Sequence, residues 1–472
     1  MMTPETFRVE AHRLVDWMAD FLENIEEYPV KPSTKPGDII KQLPTSPPLQ
    51  GESFDSLFKD FQSIIMPGVT HWQHPHFHAY FPANGSYPSI LAEMLTTTLG
   101  AQCMIWETSP AAAELEEMVM NWLKEMMALP ATWHGVIQDT ASTATLVALL
   151  TAREKQSGFR VNDEGFNGSE KYRVYCSSET HSSIEKGAKV AGIGKKNVVK
   201  VPVDDLLAMK PDELEAAIKK DIQAGYTPLA VVAAIGTTST VAVDPLKAIG
   251  AVCSKYNVWL HVDAAYAGTA LLLPECRWMM EGQELADSFV FNPHKWMFTH
   301  FDCTAYFVKD KEALIRTFEI LPEYLKTATR GQVNDYRDWG VQLGRRFRAL
   351  KLWFVIRSFG IDGLQKTLRG HMSCAEDFEA KVVSHSDFEL ILPRSLNVVV
   401  FRFKPASETN LEKLNQLNEQ LIKTLNTSGK VFLSHTKVKG IYCIRMVLGN
   451  TRLEQRHVDE VWAWVNDASK SL

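Results

Sequence analysis

Two stretches decide the fold: Val258-Trp259-Leu260-His261-Val262-Asp263-Ala264-Ala265-Tyr266-Ala267-Gly268 and Ser288-Phe289-Val290-Phe291-Asn292-Pro293-His294-Lys295-Trp296. Each begins as a short apolar run and closes on polar or small residues. Similar runs occur at Tyr172–Cys176, Val198–Val201, Leu229–Ile235 and Thr304–Val308, beside Val258–Val262 and Ser288–Phe291. Runs without polar alternation predict strands buried on both faces. Helical periodicity covers Ala111–Leu129, Ser142–Glu154, Pro211–Gln223 and Pro245–Tyr256. Strands and helices in alternation predict an α/β fold with a mostly parallel sheet.

Ligands of such sheets sit beyond the carboxyl ends of the strands. There the sequence places Gly236-Thr237-Thr238-Ser239, then Asp263, then Asn292-Pro293-His294-Lys295. Asp263 alone reads as well as a helix N-cap, and Lys295 alone as a surface lysine with a buried stem. Together they are the pair that pyridoxal phosphate requires. A lysine carries the cofactor as an imine, and a carboxylate keeps the pyridine nitrogen protonated so that the ring accepts electrons. The phosphate needs backbone N–H groups at a helix start, which Thr140-Ala141-Ser142 offers.

Outward from this centre the chain changes character. An amphipathic helix is predicted over residues 5–28, with Phe7, Leu14, Trp17, Met18, Phe21, Leu22 and Ile25 on one stripe. A proline-rich connector and a short helix, Phe54 to Ile65, follow. Beyond about residue 360 a helix precedes strands near 387–392 and 397–403. A helix near 410–426, strands at 431–435 and 440–446 and a helix at 454–467 complete an α+β segment. The expected domains are an arm (1–75), a large domain (76–358) and a small one (359–472). The arm has no core of its own and must bury its stripe elsewhere.

Among the 472 residues, 50 Lys+Arg against 56 Asp+Glu give a net charge of −6, which disfavours nucleic acid or an anionic membrane as partner. No run reaches the about 18 apolar residues of a membrane span, and the amino terminus has no signal-peptide pattern. Seven cysteines without C-x-x-C suit a reducing, cytoplasmic compartment.

The stretches HVDAAYAG (261–268) and NPHKW (292–296) resemble the group II pyridoxal-phosphate decarboxylases. So do THW (70–72), AYFP (79–82), SPA (109–111), THSS (180–183), GTT (236–238) and DYRDWGVQLGRRFRALKLWFV (335–355). The chain is most similar to the aromatic L-amino-acid decarboxylases over nearly its whole length. The resemblance implies a fold-type-I transferase fold with a seven-stranded, mostly parallel sheet, and a homodimer clasped by the arm. It implies Lys295 as the cofactor lysine, Asp263 at the pyridinium nitrogen and His181 stacked on the ring near the substrate carboxylate. Ala141, Ser142 and Asn292 would hold the phosphate, Thr238 and Ala265 would adjoin the ring, and His294 would line the site. Tyr336, on a mobile loop over about 321–339, would protonate Cα after carbon dioxide leaves.

The substrate wall implied by resemblance is Trp72, Tyr80, Phe81 and Pro82, with Gln102 and Met104 reaching a neighbouring subunit's pocket and Gly344 leaving room for an indole substrate. These four wall residues read equally as plain core. The implied reaction is decarboxylation of tryptophan, 5-hydroxytryptophan, DOPA, tyrosine or phenylalanine. The alternatives are an oxygen-dependent aromatic acetaldehyde synthase and a decarboxylase of histidine or glutamate. Keeping His181 and Tyr336 points away from the synthase. His74, His76 and His78 would share one face if their segment were a strand, but no cysteine or acid nearby completes a zinc site, so no metal is expected.

Overall fold

A computed structural model describes residues 2–320 and 331–472. The chain forms two compact units, one of residues 83–373 with 394–398, the other of 1–82, 374–393 and 399–472.

The larger unit is built on a seven-stranded sheet. Its strands are β1 (His134–Gln138), β2 (Tyr172–Ser177), β3 (Val198–Val201), β4 (Thr227–Ala234), β5 (Trp259–Asp263), β6 (Ser288–Phe291) and β7 (Thr304–Val308), in the order β1-β7-β6-β5-β4-β2-β3. The run β3-β2-β4-β5-β6 is parallel. β7 runs antiparallel to both β6 and β1. Thus β7 alone is reversed, and β1 ends at the same edge as the parallel strands. β1 has no counterpart in the apolar runs, because His134 and Gly135 open it and Gln138 closes it. Gly135 is required there: a Cβ would lie 2.7 Å from Met120 Cε and 2.8 Å from Phe307 Cε1.

The core of this unit lies between the sheet and the helix Ala141–Ser157. Ala144, Val147, Ala148 and Ala152 meet Val174, Cys176, Ala230 and Val232, and Ile184 and Ala188 of the helix Ser183–Val190 close the cluster. Small residues on the helix allow its backbone to approach the sheet closely. Each buried Val or Ile contributes about 1.5–3 kcal/mol.

The smaller unit carries a four-stranded sheet of β8 (Phe388–Leu390), β9 (Val398–Phe403), β10 (Ser434–Val438) and β11 (Ile441–Val447), ordered β10-β11-β9-β8. The expected strand at 431–435 begins at Ser434 instead. Val431 and Leu433 are packed into the core with Leu421, Leu425, Val458, Val461 and Val465.

The amino-terminal segment belongs to this same unit rather than standing apart as residues 1–75. Its helix runs Pro4–Glu23, shorter than the predicted 5–28, and starts where Thr3 accepts the Thr6 N–H at 3.2 Å. Trp17 stacks on Phe21 and meets Phe58 and Phe61 edge-on, which joins the helix to the segment Phe54–Ile65. Glu26 pairs with Arg456, and the Val30 N–H donates to Gly429 O at 2.8 Å. These contacts make the arm part of the carboxy-terminal unit. The units divide at Pro82 and at Cys374, inside the helical segment Arg348–Ser384, whose own break lies at Gly360, where the expected bounds were 75 and 358.

His74 and His76 lie on a bend and a turn and His78 follows the single β-bridge of Phe77 with Phe432, so no strand lines them up. All three are buried; His78 Nδ1 bonds Val447 O at 2.9 Å and His74 Nδ1 accepts the His76 N–H at 3.0 Å. Among the described residues no group of three or more His, Cys, Asp or Glu is arranged to hold a metal ion. Burial holds His74 and His78 down to about 4 and His76 to about 2. An unfolded chain protonates such histidines below about pH 6.5, so the fold loses up to about 1.4 kcal/mol per pH unit for each of His74 and His78 as pH falls from there, while at His76 the Glu460 carboxylate 2.9 Å from Nε2 offsets the loss. The calorimetric transition of this unit is therefore expected to move to lower temperature between pH 7 and pH 5. A transition that stays in place or rises would contradict this account of the cluster.

Candidate active site

Because β7 alone is reversed, the ends of β1, β4, β5 and β6 and the start of β7 share one edge. Asp263 closes β5 there and is 8% exposed. Its Oδ1 accepts the Ala265 N–H at 3.1 Å, which leaves Oδ2 uncommitted among the described residues. The segment after β6 folds into one helical turn, Pro293–Trp296, that presents the half-buried Lys295. Trp296 stacks on Tyr266 with ring centroids 5.1 Å apart, tying the lysine turn to the Asp263 turn.

His181 follows β2, with its Nδ1 accepting the Ser183 N–H at 3.1 Å. That bond leaves the ring proton on Nε2. Partial desolvation pulls its pKa below the usual imidazole value, while Asp263 raises it and Lys295 lowers it. The three side chains therefore share one electrostatic neighbourhood.

The helix after β1 starts at Ala141, with Thr140 Oγ1 capping the Thr143 N–H. The N–H groups of Ala141 and Ser142 are orphan donors of the first turn and face an anion favourably. Asn292 is 3% exposed. Thr304 Oγ1 donates to its Oδ1 at 2.8 Å, which turns the Nδ2 donors the other way, and the same hydroxyl lies 3.0 Å from Asp139 O. Thr304 thus joins β7, the helix start and Asn292. Nothing in a lone threonine opening an apolar run signals that role.

The donor set fits pyridoxal phosphate: an amine, a buried carboxylate with one committed oxygen, and orphan N–H groups beside a primary amide. Ala265, half-buried, and Thr238, exposed after β4, lie at the ends of β5 and β4 on this edge. His294 differs from expectation. It is 4% exposed, and its Nδ1 accepts the Cys303 N–H at 3.0 Å. Burial, and then the Lys295 charge, hold its pKa to about 3. His294 shapes the lysine turn from beneath and does not offer Nδ1 to a ligand.

Tyr336 is a correction. It lies in the turn Tyr336–Trp339, is 2% exposed, and belongs to the core cluster of the larger unit. Its ring packs 5.2 Å from Trp339 and 5.0 Å from the Arg345 guanidinium. Its hydroxyl is buried near Asn334, and burial, with Glu116 and Glu117 adding to it, pushes its pKa well above the usual phenol value. Such a hydroxyl is a weak acid and is not bonded to Lys295, Asp263 or His181. The rest of the expected loop, residues 321–330, lies outside the described residues.

Gln102 Oε1 accepts the Arg345 N–H at 2.8 Å, and a Cβ at Gly344 would lie 3.3 Å from Gln102 Nε2. Met104 O accepts the Arg337 N–H at 2.9 Å. Trp72 and Tyr80 stack at 6.0 Å, and Arg445 lies over the Phe81 ring at 4.4 Å. These aromatics belong to the smaller unit, as does the buried Pro82.

Residues 36–404 match the model of the pyridoxal-dependent decarboxylase conserved domain. Tyrosine decarboxylase 4 of Petroselinum crispum is 41% identical, over 100% of this chain and 94% of that protein. Phenylacetaldehyde synthase of Arabidopsis thaliana is 40% identical, over 100% of this chain and 97% of that one. The crystal structure of Catharanthus roseus tryptophan decarboxylase in complex with L-tryptophan superposes with a TM-score of 0.94 at 38% identity, covering 100% and 99% of the two chains.

The shared neighbourhood of the three side chains has a direct check. In the ligand-free protein Asp263→Asn is expected to lower the pKa of His181 further, and Lys295→Met to raise it, by NMR titration of labelled histidine. Unchanged titration in both variants would separate His181 from the pair.

Proposed function

Since this chain belongs to the pyridoxal-dependent decarboxylase family, with pyridoxal phosphate as its cofactor, we propose that it removes the carboxyl group of an aromatic L-amino acid to give the arylalkylamine and carbon dioxide. The observation that carries this reading is the half-buried Lys295 beside Asp263 and His181 on the edge that also holds the Ala141–Ser142 helix start.

Bound at Lys295, pyridoxal phosphate supplies an electron sink for the pair left at Cα when a bond there breaks. Lys295 would hold it covalently. Asp263 would keep a proton at the ring nitrogen through its uncommitted oxygen. Ala141, Ser142 and Asn292 would hold the phosphate, and Ala265 and Thr238 would adjoin the ring. His181 would stack on the ring and present Nε2–H to the substrate carboxylate. Its lowered pKa matters: a cationic imidazole would stabilise the carboxylate that must be lost, whereas a neutral donor orients it without that penalty.

Cα must then take a proton before oxygen reaches it. Tyr336, held in the core, is not placed to give it. The other tyrosine of the stretch 321–339 is Tyr324, which lies outside the described residues. Tyr324 takes over the role first assigned to Tyr336.

The aromatic side chain of the substrate would be met by Trp72, Tyr80, Phe81 and Pro82, with Gln102 and Met104 supplied by a second copy and Gly344 leaving room for an indole. The exposed apolar residues of the amino-terminal helix support a homodimer: Phe7 is 60% and Val9 65% exposed, and no residue of that helix is buried. All seven cysteines are free and buried, which suits the cytoplasm. No helix among the described residues is long and apolar enough to cross a membrane.

A second reading, oxygen-dependent conversion to the arylacetaldehyde, is favoured by the likeness to the phenylacetaldehyde synthase. Amine and hydrogen peroxide assayed together decide between them. Amine with little peroxide is expected; peroxide equal to carbon dioxide released would establish the synthase. Lys295→Ala is expected to lose the borohydride-fixed cofactor adduct, read by peptide mass spectrometry, and an adduct on another lysine would refute the assignment. Tyr324→Phe should shift product toward aldehyde, ammonia and peroxide, whereas Tyr336→Phe, which removes a hydroxyl buried in the core, should leave the amine as product. Aldehyde from Tyr336→Phe alone would restore Tyr336 as the acid.

A further inference from the structure

The backbone around Lys295 is gripped by a segment more than two hundred residues away in sequence. Asn84 Nδ2 donates to the Lys295 carbonyl at 2.7 Å. Ser86 Oγ donates to the Phe298 carbonyl at 2.8 Å, and Ser89 Oγ accepts the His300 N–H at 2.9 Å. Between them Gly85 lies against His300, and a Cβ at residue 85 would overlap that imidazole. Asn84 and Ser89 are fully buried, and Ser86 is 7% exposed.

The helical turn Pro293–Trp296 is only four residues long, and the last carbonyls of so short a turn lean on partners outside it. The Lys295 N–H donates to Asn292 O at 2.9 Å, and further anchors act on its neighbours, Cys303 on His294 and Tyr266 and His371 on Trp296. Asn84 holds the backbone of Lys295 itself. A lysine side chain leaves its backbone in a direction fixed by that backbone, and a misplacement of about 1 Å at a reacting group costs about a hundredfold.

We infer that Asn84 is a positioning residue for Lys295, fixing the direction in which the amine leaves its turn, with Ser86 and Ser89 keeping the following loop in register. The inference rests on Lys295 as the cofactor lysine. Asn84→Asp keeps the shape but replaces the donor by an oxygen that repels the carbonyl. Ser86→Ala removes one bond three residues further along.

The test mixes cofactor-free protein with pyridoxal phosphate and fixes the covalent adduct with borohydride at timed intervals across a pH series. The adduct on Lys295 is counted by mass spectrometry, and the folded fraction is measured alongside. Attachment is expected to slow about tenfold in Asn84→Asp and about threefold in Ser86→Ala, the scale of one buried hydrogen bond. The pH midpoint of attachment should move in Asn84→Asp. A purely structural role would reduce the folded fraction and leave the midpoint of the folded protein in place. Rates and midpoints equal to the parent's at equal folded fraction would overturn the inference. Should Asn84→Asp fail to fold, Ser86→Ala decides: slowed attachment supports positioning, an unchanged rate overturns it. Lys295→Ala separates the two claims, because an adduct persisting there removes the cofactor lysine, whereas its loss with parental rates in the other variants removes positioning alone.

Discussion

A carboxylate at the end of a buried strand is the constraint on which the site depends. β5 is buried along its whole length, and Asp263 is carried into a low-dielectric edge where an unpaired charge is costly. The backbone satisfies one oxygen through Ala265 and leaves the other to a cationic partner. Around that requirement the sheet places Lys295 one strand over, and His181 at the end of β2, within their joint field. The reversal of β7 completes the edge. It brings Thr304 beside Asp139 and Asn292, so that the proposed phosphate donors are held by the same strand start.

Two histidines that feel the Lys295 charge show how little separates a reacting group from a supporting one. Both are depressed by desolvation, and both feel the lysine charge. His294 spends Nδ1 on the Cys303 backbone inside the turn, whereas His181 spends Nδ1 on Ser183 and keeps its Nε2 face on an exposed ring. Which surface is open, more than basicity, assigns the roles.

Much of this was legible in the sequence where chemistry and sequence are local. The strands β2 to β7 follow from apolar runs, and Asp263, Asn292 and Lys295 follow from their place just past two of them. β1 was not legible, because Gly135 is dictated by the approach of Met120 and Phe307 rather than by strand propensity. Tyr336 shares its stretch with Tyr324, and only tertiary packing against Trp339 and Arg345 shows that the first is held in the core. The grip of Asn84 on Lys295 spans 211 residues and leaves no local pattern. The arm reads as separate in sequence because its contacts with Gly429 and Arg456 join the two ends of the chain.

The central claim is that Asp263 keeps the cofactor ring nitrogen protonated in a site built for that purpose. The most direct measurement is the nitrogen NMR shift of the bound cofactor labelled with nitrogen-15 in its ring. A protonated pyridinium signal that persists to alkaline pH, and gives way to a neutral pyridine signal in Asp263→Ala, is predicted. A neutral signal in the unaltered enzyme at pH 7 would contradict the account.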